Sequence, residues 1–297
     1  MLQIRSLSKT YPGGVEALRD VDLDIPAGMF GLLGPNGAGK STLMRTLATL
    51  QDADAGSARL GDLDVLGDKP RVREILGYLP QDFGVYPKIT AYALLDHFAV
   101  LKGLVDAAAR RDAVERLLQL VNLWPVRDRK LGTFSGGMRQ RFGIAQALLG
   151  EPRLVIVDEP TAGLDPQERN RFLDLLSAIG EAVVVILSTH IVEDVRDLCS
   201  RMAILAGGRV LEQGAPHELI DGLRGRTWRR VVDADEAARL AGELPVISDR
   251  LYAGRRALHV VAETAPEGFD AADPSLEDVY FSALLQAGAT EAQADAA

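Results

Sequence analysis

The chain has 297 residues, 47% hydrophobic and 25% charged, enough to bury a sizeable core in one large domain or in a large and a small one. A net charge of −9 argues against a nucleic-acid partner, because duplex binding rests on Lys and Arg neutralising phosphates. The single cysteine, Cys199, cannot form an intrachain disulfide, and no apolar run approaches the roughly 20 residues that span a bilayer, so any membrane role needs a partner that supplies the helices.

The first clear element is VDLDIPAG, where Val21, Leu23 and Ile25 alternate with Asp22 and Asp24, the pattern of a half-exposed strand. Four continuous apolar runs follow along the chain: MFGLLG, LVIVDEP, AVVVILSTH and RMAILAGG. Such runs suit central strands covered on both faces. Between them lie helical patterns. KSTLMRTLATL places Leu43, Leu47 and Leu50 on one face, and QERNRFLDLLSAIG does the same with Phe172, Leu175, Leu176 and Ile179. The alternation predicts an α/β fold with a mainly parallel sheet and an antiparallel β element beside it.

Residues 90–130 break the alternation with two amphipathic helical stretches and no strand between them. They predict a helical insertion, about 82–140, in a first domain spanning 1–220. From about residue 221 to 285 the sequence reads β-α-β-β-α, a small α+β unit, and the polar tail 286–297 is predicted to be disordered.

Gly34, Pro35, Asn36, Gly37, Ala38, Gly39, Lys40 and Ser41 fit the phosphate-loop pattern between a strand and a helix. Glycines let backbone N–H groups turn toward phosphate oxygens, and the helix start adds partial positive charge. Lys40 is placed to reach the β- and γ-phosphates and the Ser41 hydroxyl to ligate Mg²⁺. Asp158 and Glu159 end the apolar run LVIVD; such pairs can cap a following helix, or hold a metal ion through water and polarise a nucleophile. His190 after AVVVILST and Gln81 after ILGYLP could reach the same phosphate or be structural. FSGGMRQR opens a second helix with Ser135, Gly136 and Gly137, another natural anion-holding start.

Taken together, GPNGAGKST, Gln81, FSGG, LVIVDEP, AGLDP and His190 resemble, in order and spacing, the ATP-binding cassette ATPases that serve as nucleotide-binding subunits of ABC transporters. The resemblance covers residues 1 to about 220. It implies the cassette fold: a phosphate-loop parallel sheet with an antiparallel β element and a helical subdomain. It implies ATP and Mg²⁺ as cofactors, with Gly34 to Thr42 as the Walker A loop and Asp158 as the Walker B aspartate. Glu159 matches the catalytic glutamate, Gln81 a ligand of Mg²⁺ or water, and His190 the switch histidine. Tyr11 matches the aromatic that stacks on adenine; a packed surface tyrosine is the alternative.

In that family the signature serine and glycines complete the ATP site of a second, head-to-tail copy, so Ser135, Gly136, Gly137 and the loop residue Asp165 would act in trans. The chain departs from the usual LSGGQ at Phe134 and Met138. With one phosphate loop, one signature and no sustained heptads between Lys40 and Ser135, the resemblance favours a transport subunit over translation-type or chromosome-type cassettes. It implies a separate integral membrane permease as partner and a place on the cytoplasmic face of the cell membrane. Phe83, Val85 and Tyr86 are candidate contacts for that partner, or local packing. The run GYLPQDFGVYPKIT and the ending PSLEDVYFSALL look like exporters of drugs, antibiotics or lipid-linked molecules, with import as the alternative.

Overall fold

The structure is a computed structural model that describes residues 1–81, 84, 86–161, 164–177 and 183–288; Phe83, Val85, Ile179 and the tail beyond 288 lie outside them. Its centre is a six-stranded sheet. In spatial order it runs β10 (Arg209–Gly214), β9 (Arg201–Ala206), β3 (Gly28–Leu33), β8 (Val184–Thr189), β7 (Leu154–Asp158) and β6 (Leu76–Leu79). All neighbours pair in parallel except β10, which lies antiparallel on the edge. The apolar runs became these strands because both faces are covered. Along β7 and β8, Leu154, Ile156, Val184 and Ile186 enter one core, while Val155, Val157, Val185 and Leu187 enter the other.

One face meets an antiparallel sheet of β2 (Val15–Ile25), β1 (Leu2–Tyr11), β4 (Ala55–Leu60) and β5 (Leu63–Asp64), together with α1 (Lys40–Leu47) and α2 (Lys69–Ile75). The alternation read in VDLDI appears as buried Val21, Leu23 and Ile25. Leu50 departs from expectation and is 62% exposed. Thr49 adopts φ 62°, with its hydroxyl and carbonyl held by Arg73, so the helix ends early and Leu50 turns outward.

The opposite face carries α3 (Ala91–Leu101), α4 (Ala107–Leu120), α5 (Gly136–Ala147), α6 (Pro166–Ser177) and α7 (Val192–Leu198). Thr90 and Asp106 cap α3 and α4 by accepting the amides of Ala93 and Ala109. α5 runs unbroken from the helical layer to the central sheet, where a Cβ on Gly77 would stand 2.0 Å from the Ala147 carbonyl oxygen. Cys199 is buried in this core, and burial, with Asp194 nearby, pushes its thiol up to about 12.

After α8 (Pro216–Asp221) the chain forms a third sheet in the order β12 (Val246–Tyr252), β13 (Arg255–Val261), β11 (Thr227–Val232) and β14 (Asp270–Ala271), covered by α9 (Ala234–Glu243). Its own core holds Val232, Leu240, Leu258, Val260 and Phe269. The last helix, α10 (Leu276–Gln286), touches β12 of that small unit and also packs on α7 and α8. Leu276, Val279, Tyr280, Ala283 and Leu284, one helical face, are buried in the core of the large domain. Leu276, Val279 and Leu284 each contribute about 1.5–3 kcal/mol when fully buried. Among the described residues no helix is long and apolar enough to cross a membrane.

Asp278 fastens the start of α10 to the third sheet. Its carboxylate accepts from the Ser275 amide at 2.8 Å and lies 2.9 Å from His259 Nδ1 on β13. Burial pushes this carboxyl up, but His259 and Ser275 together hold it below the ordinary range. A depressed folded pKa contributes stability above the unfolded value and loses it as pH falls through the folded one. At pH 6, Asp278→Asn is therefore expected to melt on the order of 3–6 °C below the natural chain, with the gap closing as pH falls below about 4. Paired thermal melts across that range check it.

Candidate active site

β3 delivers the chain to the loop at Gly34, and α1 leaves it at Lys40. Gly39 occupies the helix cap at φ 105° with no side chain capping the first turn, so the leading amides of α1 are not spent on the protein. A Cβ on Gly39 would lie 2.3 Å from the Ala17 carbonyl, and one on Gly34 2.3 Å from that of Leu205, so both close approaches require glycine.

Beside this helix start lies a cavity of about 390 Å³, lined by residues 35–42, Gln81 and Glu159, with Val15, Glu16, Ala17, Arg19 and Gly207 opposite. Gly34 lies beneath it, buried. Lys40 is 6% exposed; its Nζ donates to the Gly34 carbonyl at 2.6 Å and the Pro35 carbonyl at 3.1 Å, and stands 3.9 Å from Glu159 Oε1. Burial lowers the ammonium's pKa, while Glu159 and then Asp158 pull it back up, leaving it below an ordinary lysine. A buried cation on a ring of carbonyls suits a polyanion that enters the cavity.

β7 and β8 are neighbours in register, with Asp158 opposite Ser188, which brings Glu159 and His190 to the same sheet edge. Glu159 takes φ 48° and donates its amide to the Ser188 carbonyl at 2.9 Å. This left-handed conformation is rare for a side chain of its kind and typical of functional positions. The Glu159 carboxylate, 10% exposed, meets His190 Nδ1 at 2.7 Å. Asp158 is 4% exposed and its Oδ1 has no hydrogen-bond partner among the described residues. Burial raises its pKa and the adjacent Glu159 adds to that, while the Ser188 and Ser41 hydroxyls and Lys40 offset part of the rise. An orphaned carboxylate oxygen near the Ser41 hydroxyl, with Gln81 on the cavity wall, is an all-oxygen donor set that fits Mg²⁺.

Gly34, Asp158 and His190 adjoin the lining residues Pro35 and Glu159 without lining the cavity themselves, and three further groups of expected site residues lie away from it. Tyr11 is outside the lining; its hydroxyl meets Thr42 Oγ1 at 3.3 Å and donates to Gln51 at 2.9 Å. Val15, 63% exposed, lines the cavity and pairs with Tyr11 across the Gly13–Gly14 hairpin. That tight turn was the available signal, for it sets the partner of Tyr11 in register. Ser135 caps α5 by accepting the Met138 amide at 3.2 Å, and neither it nor Gly136 or Gly137 lines the cavity. A Cβ on Gly137 would stand 2.4 Å from the Glu168 carboxylate, while one on Gly136 meets nothing. Met138, half-buried, packs on the core. Asp165 caps α6 by accepting the Glu168 amide at 2.8 Å.

A family profile described as ABC transporter matches residues 18–162. The daunorubicin/doxorubicin resistance ATP-binding protein DrrA of Streptomyces peucetius is 35% identical over 303 residues, 95% of this chain and 91% of that one. The chain belongs to the ABC transporter family. The probable multidrug ABC transporter ATP-binding protein YbhF of Escherichia coli is 33% identical over 98% of this chain, which spans only 53% of YbhF. The methionine import ATP-binding protein MetN of Bordetella pertussis is 37% identical over 85% of this chain and 73% of its own length. Among solved structures, the dimeric ATP-binding cassette MJ0796 in a post-hydrolysis state with ADP and Pi superposes with a TM-score of 0.65 at 26% identity, over 72% of this chain and 98% of that one. The cassette fold expected from the motifs is therefore the fold of this family.

Proposed function

We propose that this chain is the ATP-hydrolysing subunit of an ABC exporter, acting as a head-to-tail pair of copies beneath a separate membrane permease, on the cytoplasmic face of the cell membrane. The observation that carries the reading is Glu159 on the cavity wall, 3.9 Å from the Lys40 ammonium and 2.7 Å from His190 Nδ1, with an unpartnered Asp158 oxygen beside Ser41. Lys40 and the loop amides offset phosphate charge. Glu159 orients and deprotonates the attacking water as its oxygen bonds to the γ-phosphorus and the bond to the β-phosphate oxygen breaks. His190 holds the Glu159 carboxylate in place. Asp158, Ser41 and Gln81 would hold Mg²⁺, which supplies charge neutralisation between the β- and γ-phosphates when bound.

Ser135, Gly136, Gly137 and Asp165 lie apart from the cavity of their own chain, which supports their acting on the nucleotide of a second copy. Similarity to DrrA along nearly the whole chain, third sheet included, supports export; MetN keeps import as the second reading, to be preferred if a substrate-binding protein is encoded alongside.

Tyr86, 62% exposed, precedes the helical layer where a permease would dock. Affinity purification of the tagged chain from detergent-solubilised membranes is expected to bring down a polytopic membrane protein, and Tyr86→Asp to bring down at least roughly tenfold less. Recovery of the chain alone would defeat the transporter reading.

A further inference from the structure

Among the described residues, one carboxylate that is completely shielded from solvent lies outside the cavity. Asp194 on α7 is 0% exposed, and each of its oxygens is engaged. Oδ2 accepts from the Thr161 hydroxyl at 2.8 Å. Oδ1 accepts from Arg169 Nε at 2.8 Å and pairs with its terminal nitrogen at 2.6 Å. Burying a charge is costly unless such partners are present, and here they come from two other segments, so that three meet at Asp194.

What those segments carry is the point. Thr161 stands one proline beyond Glu159, Asp194 one helical turn beyond His190, and Arg169 one turn beyond Asp165. Thr161 is itself buried and contributes no atom to the cavity lining. We propose that Asp194 and Thr161 are positioning residues, a clamp that makes the loops bearing Glu159, His190 and Asp165 move as one body. The inference rests on the hydrolytic reading above and goes beyond it, because Thr161, Arg169 and Asp194 do not line the cavity.

The geometry gives the clamp a definite task. The Glu159–His190 contact joins side chains just beyond the paired ends of β7 and β8, where the Glu159 amide donates to the Ser188 carbonyl. A second tie, farther from the sheet edge, fixes the angle at which α7 leaves β8 and hence the position of His190. Since Asp165 begins the helix that carries Arg169, a displacement of Asp165 by a second copy would be felt at His190 and Glu159 of the same chain. The C-terminal helix α10 packs on α7 as well, so the third sheet is one helix away from the same clamp.

Thr161→Val keeps the shape of the side chain and removes only the hydroxyl, whereas Thr161→Ser keeps the hydroxyl. We expect Thr161→Val to lower kcat roughly ten- to a hundredfold with ATP affinity within about twofold of the natural chain, and Thr161→Ser to restore kcat. In hydrogen exchange on the nucleotide-free full chain, Thr161→Val should raise exchange around 158–161 and around 188–192 together. An unchanged kcat, a loss that serine does not restore, or faster exchange confined to 158–161 would overturn the clamp. If the natural chain hydrolyses no ATP, the hydrolytic reading fails, and the exchange pattern alone decides whether the clamp exists.

Discussion

Glu159→Gln is expected to stop turnover while ATP stays bound and the two-copy assembly becomes long-lived. The amide has the shape of the carboxylate, so the contact to His190 Nδ1 at 2.7 Å keeps a partner, and the left-handed backbone is held by an amide bond that the side chain does not share. What is lost is the base: a kcat lower by roughly 10²- to 10⁴-fold. What is gained is electrostatic. Glu159 raises the pKa of Asp158, and its removal lets that carboxyl fall back toward its ordinary range, favouring the charged form that would hold Mg²⁺. A negative charge beside the γ-phosphate is also gone. Lys40 loses one of the two carboxylates that oppose its desolvation, but the phosphates supply more charge than was removed. Single-turnover hydrolysis and light scattering in Mg-ATP read the two halves of this expectation. A variant that remains monomeric at saturating Mg-ATP contradicts it.

How far the sequence speaks for the site depends on how local each requirement is. The phosphate loop is legible because its glycines and the lysine at the helix start form one local pattern, even though the carbonyls that a Cβ on Gly34 or Gly39 would strike belong to the distant Leu205 and Ala17. The central strands are legible because burial on both faces leaves no polar alternation in LVIVD or VVILST. The surroundings of Tyr11 are not legible, because the partners of its hydroxyl, Thr42 and Gln51, lie far along the chain and meet it only in the fold. The docking of α10 is half legible: its apolar face was plain, but nothing in LEDVYFSALL says that the face covers the large domain rather than the third sheet. Asp194 was passed over for the same reason. In VEDVRDL it reads as one acid among several on a surface helix, and only Arg169 and Thr161, distant in sequence, make its burial tolerable.

The proposed division of the site between two copies leads to the sharpest test. Ser135→Arg should leave a folded monomer, because Ser135 is exposed and its loss as a helix cap costs about 1 kcal/mol. The cavity contains no atom of residues 134–137, so the affinity of the monomer for ATP should be unchanged. A guanidinium in place of a hydroxyl at the start of α5 would, however, obstruct a second copy closing on that surface, and ATP-dependent dimers and hydrolysis should both be lost. Lys40→Ala breaks the other half, since it removes the buried ammonium while leaving the signature intact. Neither variant alone can hydrolyse ATP. In a mixture, a mixed pair joins the intact phosphate loop of one chain to the intact signature of the other. If sites turn over independently, an equal mixture regains up to about a quarter of the natural rate, since half the pairs are mixed and each has one good site. If Ser135 instead served its own chain, every site in the mixture would remain broken, and no activity would return.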